Sequence, residues 1–87
     1  MKIILVNEEC HGLIGVAKDY RAAIRFLIDK NWLNDFTEIW VRDYEYERLS
    51  EKLGEDWVDT MTENWNINNF NDFWEGSFYL EEEDLYE

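Results

Sequence analysis

Four apolar residues in a row, Ile3-Ile4-Leu5-Val6, open the chain. A continuous β-branched and aliphatic run predicts a strand covered on both faces, which places it at the centre of a sheet. The polar stretch Asn7, Glu8, Glu9, Cys10 and His11 separates it from a second apolar run, Leu13-Ile14-Gly15-Val16-Ala17, introduced by Gly12. That spacing predicts an antiparallel hairpin over residues 2–17. From Tyr20 the period changes: apolar positions 20, 23, 24, 27 and 28 recur at helical spacing behind Asp19, a good N-cap. They predict a helix over residues 19–32 with one face on the sheet. Residues 37–42 return to alternation and predict a strand with Ile39 and Val41 inward and Trp40 on the other face.

The most regular segment is residues 44–65. Leu49, Leu53, Trp57, Met61 and Trp65 fall four apart, and so do Glu47, Glu51, Glu55, Asp59 and Glu63, offset by two. Two residues along a helix turn through about 200°, so the ladders lie on opposite faces of one long amphipathic helix. Gly54 interrupts it at a cost of about 1 kcal/mol relative to Ala, which makes a break into two helices there the alternative. Residues 64–71 are rich in Asn and read as leaving the helix, with Phe70, Phe73 and Trp74 in a short aromatic turn over a core edge. After Gly76, Ser77-Phe78-Tyr79-Leu80 predicts a last strand with Phe78 and Leu80 on one face. The expected fold class is α+β, a small sheet of about four strands packed with two helices, the second long and acidic. With no internal repeat or linker, residues 1–87 form a single domain.

Composition supports a folded chain despite its charge. Five Trp, five Tyr and five Phe each bury roughly 150 to 250 Å² when enclosed, enough for a small core without disulfide or metal. One cysteine, Cys10, excludes an internal disulfide and points to a cytoplasmic location. The first apolar run is too short for a signal-peptide core or a membrane span.

Charge changes the picture most. Residues 1–42 hold six acids and six bases, whereas residues 43–87 hold fifteen acids against Arg48 and Lys52 alone; 15 minus 2 is the whole net charge of −13. Phosphates would be repelled by that half, so nucleic acid and anionic membrane are not expected as direct partners, and a basic protein is.

Candidate chemistry is sparse. Cys10-His11 is the one pair that invites a nucleophile, but neighbours in a turn tend to point apart and no third group orients them, so no catalytic residue is assigned. A small enzyme or ligand-binding domain using Cys10, His11 and the aromatics would lose activity in Cys10→Ser. Glu81, Glu82, Glu83 and Asp84 offer oxygen ligands, yet an extended strand splits them between two faces and no calcium-loop pattern surrounds them. No metal or cofactor is expected. The ladder Glu47, Glu51, Glu55, Asp59 and Glu63 is the strongest signal. A solvated face is its ordinary explanation, but solvated faces mix signs, and like charges four apart cost roughly 0.2 to 0.5 kcal/mol per pair. Carboxylates spaced about 6 Å along a helix axis imitate a row of phosphates. With Glu81, Glu82, Glu83 and Asp84, and with Tyr44, Tyr46 and Tyr86 as aromatic anchors, they form the expected partner-binding set.

A single acidic domain of 87 residues, rich in Tyr, Trp, Asn and Glu and without enzyme motifs, resembles the small inhibitors encoded by phages and mobile elements, including anti-CRISPR proteins and other DNA mimics. The ladder and the acidic tail carry the resemblance. It implies a protein that occupies the nucleic-acid-binding site of a host defence effector such as a Cas nuclease, in the host bacterial cytoplasm, by stoichiometric binding instead of catalysis. An immunity protein or antitoxin that neutralises a basic nuclease or toxin uses the same electrostatics and is the alternative. Genomic neighbours separate the two.

Overall fold

A computed structural model of the chain describes residues 1–33, 38–40, 46–75 and 77–84. The fold is α+β, as expected. Strands β1 (Lys2–Glu8) and β2 (Gly12–Ala17) form the antiparallel hairpin, and β5 (Phe78–Asp84) pairs antiparallel with the other edge of β1. The order β2-β1-β5 puts the first apolar run in the centre. The expectation of about four strands in one sheet needs correcting. Among the described residues this sheet has three, and β3 (Glu38–Trp40) with β4 (Tyr46–Arg48) makes a separate two-stranded ladder.

One face of the main sheet is covered. Ile4 and Val6 on β1 and Phe78 and Leu80 on β5 are buried, beneath helices α1 (Tyr20–Asp29) and α4 (Ile67–Trp74). Gly15 on β2 is directly across from Val6. A Cβ there would lie 2.6 Å from Cζ of Phe26 on α1, so only glycine lets that ring down onto the strand. The opposite face is bare. Ile3 and Leu5 are only half-buried, and Leu13, Val16 and Tyr79 are exposed. Among the described residues no element is layered on that side, so the second cover expected for β1 is not found there.

Helix α1 starts where the sequence places it, with Asp19 Oδ1 accepting from the Ala22 N–H at 2.8 Å. It ends earlier than residue 32. Asn31 adopts a left-handed conformation (φ 62°), and the N–H groups of Asn31 and Trp32 donate back to Ile28 and Leu27, closing a Schellman-type cap. Its buried face is Ala23, Ile24 and Leu27.

The single long helix over residues 44–65 does not form. After β4 come α2 (Leu49–Leu53), α3 (Trp57–Asp59) and a π-helical turn, Thr60–Asn64. Gly54, at φ 100°, breaks α2 from α3 in a conformation unfavourable to any other residue. The π turn has its own cause: the Thr62 hydroxyl donates to the Val58 carbonyl, and the Met61 carbonyl is taken at 2.6 Å by the Tyr20 hydroxyl of α1. The apolar ladder still points inward, with Leu49, Trp57 and Met61 buried.

The Asn-rich stretch contains a helix where an irregular turn was expected. Asn66 and Asn69 cap each other: each side-chain oxygen accepts from the other's backbone N–H at 3.0 Å. The asparagines that read as breakers are the start of α4. Phe70 and Trp74 are buried in it, and rings run from Tyr20 through Phe70, Trp74 and Phe78 to Trp32 with centroids 5.1 to 6.5 Å apart.

Asn71 on α4 does a second job. Its carboxamide donates to the Leu80 carbonyl (3.0 Å) and accepts from the Leu80 N–H (2.8 Å), standing in for a missing strand on the outer edge of β5. Asn71→Ala leaves both groups of a buried residue unpaired, at a cost of about 1 to 3 kcal/mol. Its melting temperature should fall by at least about 4 °C. The freed edge should also make the variant associate in sedimentation runs. An unchanged melting temperature would show that water replaces the carboxamide at no cost.

Candidate functional site

The predicted partner-binding residues do not share one surface. Glu51 lies on α2, Glu55 follows Gly54, Asp59 ends α3 and Glu63 sits in the π turn; all four are exposed. The backbones of Tyr46 and Glu47 belong to β4. Tyr44 and Tyr86 lie outside the described residues. The even column of carboxylates expected on one helix is thus replaced by a broken one, because Gly54 redirects the axis and the π turn changes the pitch.

Internal partners also reach the ladder from the half of the chain that sums to zero. Arg21 on α1 forms an ion pair with Glu63. Arg25, one turn on, lines a depression of about 100 Å³ with Asp29, Asp59 and Glu63. Arg48 and Lys52 are therefore not the only bases near the ladder. Sequence separation hid this, since residues 21 and 63 meet only when the π turn packs on α1. Among the described residues Glu55 and Asp59 have no ion-pair partner, and the Glu51 carboxylate accepts from the Arg48 backbone N–H at 3.4 Å.

The acids of β5 split by register. Glu81 pairs with Leu5 and Glu83 with Ile3, on the bare face; Glu82 pairs with Ile4 and Asp84 with Lys2, on the face that holds the helices. Lys2 Nζ lies 3.1 Å from Glu82 Oε1, and this contact holds the lysine above its usual pKa. Because the π turn packs on α1, and Leu49 of α2 and Trp57 of α3 share the buried core with Ile4 and Val6, Glu81 and Glu83 are on the other side of the sheet from the ladder residues of α2, α3 and the π turn. Among the described residues no three His, Cys, Asp or Glu side chains gather as metal ligands would.

The Cys10-His11 turn is organised by a residue not singled out in the sequence. Glu8 Oε2 accepts from the backbone N–H groups of Cys10 (3.1 Å) and His11 (2.9 Å) and from the His11 imidazole Nδ1. His11 also stands edge-on to Trp32, centroids 5.3 Å apart. This bonding, led by the imidazole, holds the Glu8 carboxyl below the ordinary glutamate range. A lowered folded pKa contributes stability that is present above the unfolded value, about 4.3, and is lost as pH falls through the folded one. Glu8→Gln should therefore lower the melting temperature at neutral pH, and by progressively less as pH falls from about 4.3 through the lower folded value. Parallel melting curves for both proteins across that range would refute the assignment. The arrangement is that of a turn clamp, with Cys10 exposed beside it.

Leu13 and Val16, not singled out in the sequence, stand exposed on the bare sheet face beside Tyr79, one of the aromatics that spacing does not place in the core. Their signal was present in β1, whose apolar run is that of a strand with two covered faces. Comparison with known proteins gives no match to a protein family, a curated protein or a solved structure. Among the described residues no helix is long and apolar enough to cross a membrane.

Proposed function

We propose that the protein is an acidic inhibitor that binds a basic protein stoichiometrically, occupying a groove built for nucleic acid on a host defence effector, without turnover. One observation carries this reading: all thirteen excess negative charges come from residues 43–87, and Glu55 and Asp59 of the ladder have no ion-pair partner among the described residues. An unpaired field of this kind destabilises the compact chain through self-repulsion while attracting a basic surface. The carboxylates Glu51, Glu55, Asp59 and Glu63 supply the charge that replaces phosphate. Glu63 then exchanges Arg21 for a partner's base, and Glu55 and Asp59 meet theirs unencumbered.

Affinity capture from a bacterial lysate, eluted by a salt gradient, tests the reading. A nucleic-acid-binding protein of high isoelectric point should be retained at low salt and released as the Debye length shrinks from about 10 Å at 0.1 M to about 3 Å at 1 M. Added to that protein, the inhibitor should displace labelled duplex at a one-to-one ratio. Direct binding of the chain to duplex DNA, or retention of partners indifferent to salt, would sink the mimicry.

A further inference from the structure

On the bare face of the sheet the apolar Ile3, Leu5, Leu13, Val16 and Tyr79 outnumber the polar Asn7, Glu81 and Glu83. At its centre Leu5 is flanked by Val16 on β2 and Glu81 on β5; in the next row Asn7 is flanked by Leu13 and Tyr79. Leu13 is 57% exposed, Val16 56% and Tyr79 47%. An open antiparallel face normally turns polar side chains to water. Here the β2 side is apolar, and the β5 side carries Glu81 and Glu83, neither of them ion-paired among the described residues. An apolar centre bordered by charge is the anatomy of a protein interface. A second copy is a poor occupant, since each chain has a net charge of −13 and brings the same carboxylates to the contact.

We propose that this face docks an amphipathic, lysine- or arginine-bearing helix of a protein partner. The helix lies across the sheet as its missing second layer. Its apolar stripe covers Leu5, Leu13, Val16 and Tyr79, and its basic edge meets Glu81 and Glu83. Charge complementarity selects the basic helix over an acidic one. The surface is on the other side of the sheet from the carboxylate ladder, so the inference goes beyond groove mimicry and stands or falls separately from it.

The full chain, isotope-labelled, can be titrated with three synthetic peptides of equal length: an amphipathic leucine–lysine helix, its leucine–glutamate counterpart, and oligolysine. The leucine–lysine helix should shift the amides of β1, β2 and β5, and the other two should leave them in place. Leu13→Ser with Val16→Thr alters two exposed side chains and spares the core. It should weaken the leucine–lysine peptide by about tenfold or more. A second variant, Glu81→Gln with Glu83→Gln, should weaken it and flatten its salt dependence. The proposal is overturned if the leucine–lysine helix fails to bind, if its shifts map to the ladder, or if the double apolar variant binds it undiminished. Equal binding of the leucine–glutamate helix would overturn it too. Dimers of the free chain that dissolve in the double apolar variant would assign the face to a second copy. If the peptide result holds while no basic protein is retained from lysate, the groove reading fails alone.

Discussion

Phe70→Ala should bring the chain to the edge of unfolding. Phe70 has no exposed surface and sits at the junction of α1 and α4, with its ring 6.5 Å from Tyr20 and 6.0 Å from Trp74, centroid to centroid. Deleting such a ring removes its transfer free energy and leaves a cavity that the aromatic neighbours are too rigid to fill, about 3 to 5 kcal/mol in all. A chain of this size holds only about 5 to 15 kcal/mol against unfolding. The melting temperature should drop by more than about 12 °C. Phe73→Ala, at a half-buried position on the same helix, should cost clearly less. Thermal circular dichroism of both variants decides the matter. Similar, small losses would mean that α4 is the loose aromatic turn the Asn-rich sequence predicts and is not seated in the core.

Reversing Glu51, Glu55 and Asp59 to Lys should abolish binding of a basic groove. Each reversal adds two units, so the net charge moves from −13 to −7. The matched control is Glu9, Asp72 and Glu75 to Lys, exposed residues that make the same change elsewhere. Carboxylates paired with arginine in a desolvated groove cost about 2 to 5 kcal/mol when lost, at least about thirtyfold in Kd, whereas a general loss of charge mainly slows association. Equal loss from both sets would mean that net charge alone matters. The expected gain in stability from this reversal is small. On one helix, every step of the ladder would be a repulsive pair. In the folded chain Gly54 separates Glu51 from Glu55, and Arg21 already pairs with Glu63. A large rise in melting temperature would show that repulsion persists across the break.

The hairpin over residues 2–17, the N-cap at Asp19, the buried face of α1 and the shared buried face of Phe78 and Leu80 were legible because each depends on neighbours in sequence: a run, a period or a cap. The central place of β1 followed from its apolar content. Gly54 was visible as a weak point, but propensity alone left one helix or two undecided; its φ of 100° settles that. The asparagines 66 and 69 misled because the same side chains that break a helix interior also start one, and only reciprocal bonds distinguish the two. The residues named for the site behave the same way. Sequence alone determined that the net negative charge comes from residues 43–87, because a count needs no coordinates. It could not determine that Arg21 would pair with Glu63, or that β5 would divide Glu81 and Glu83 from Glu82 and Asp84. Nor could it determine that one face of an apolar strand would be left to water. Those outcomes are set by packing between segments far apart in the chain, where the pleat and the π turn decide which side each residue faces.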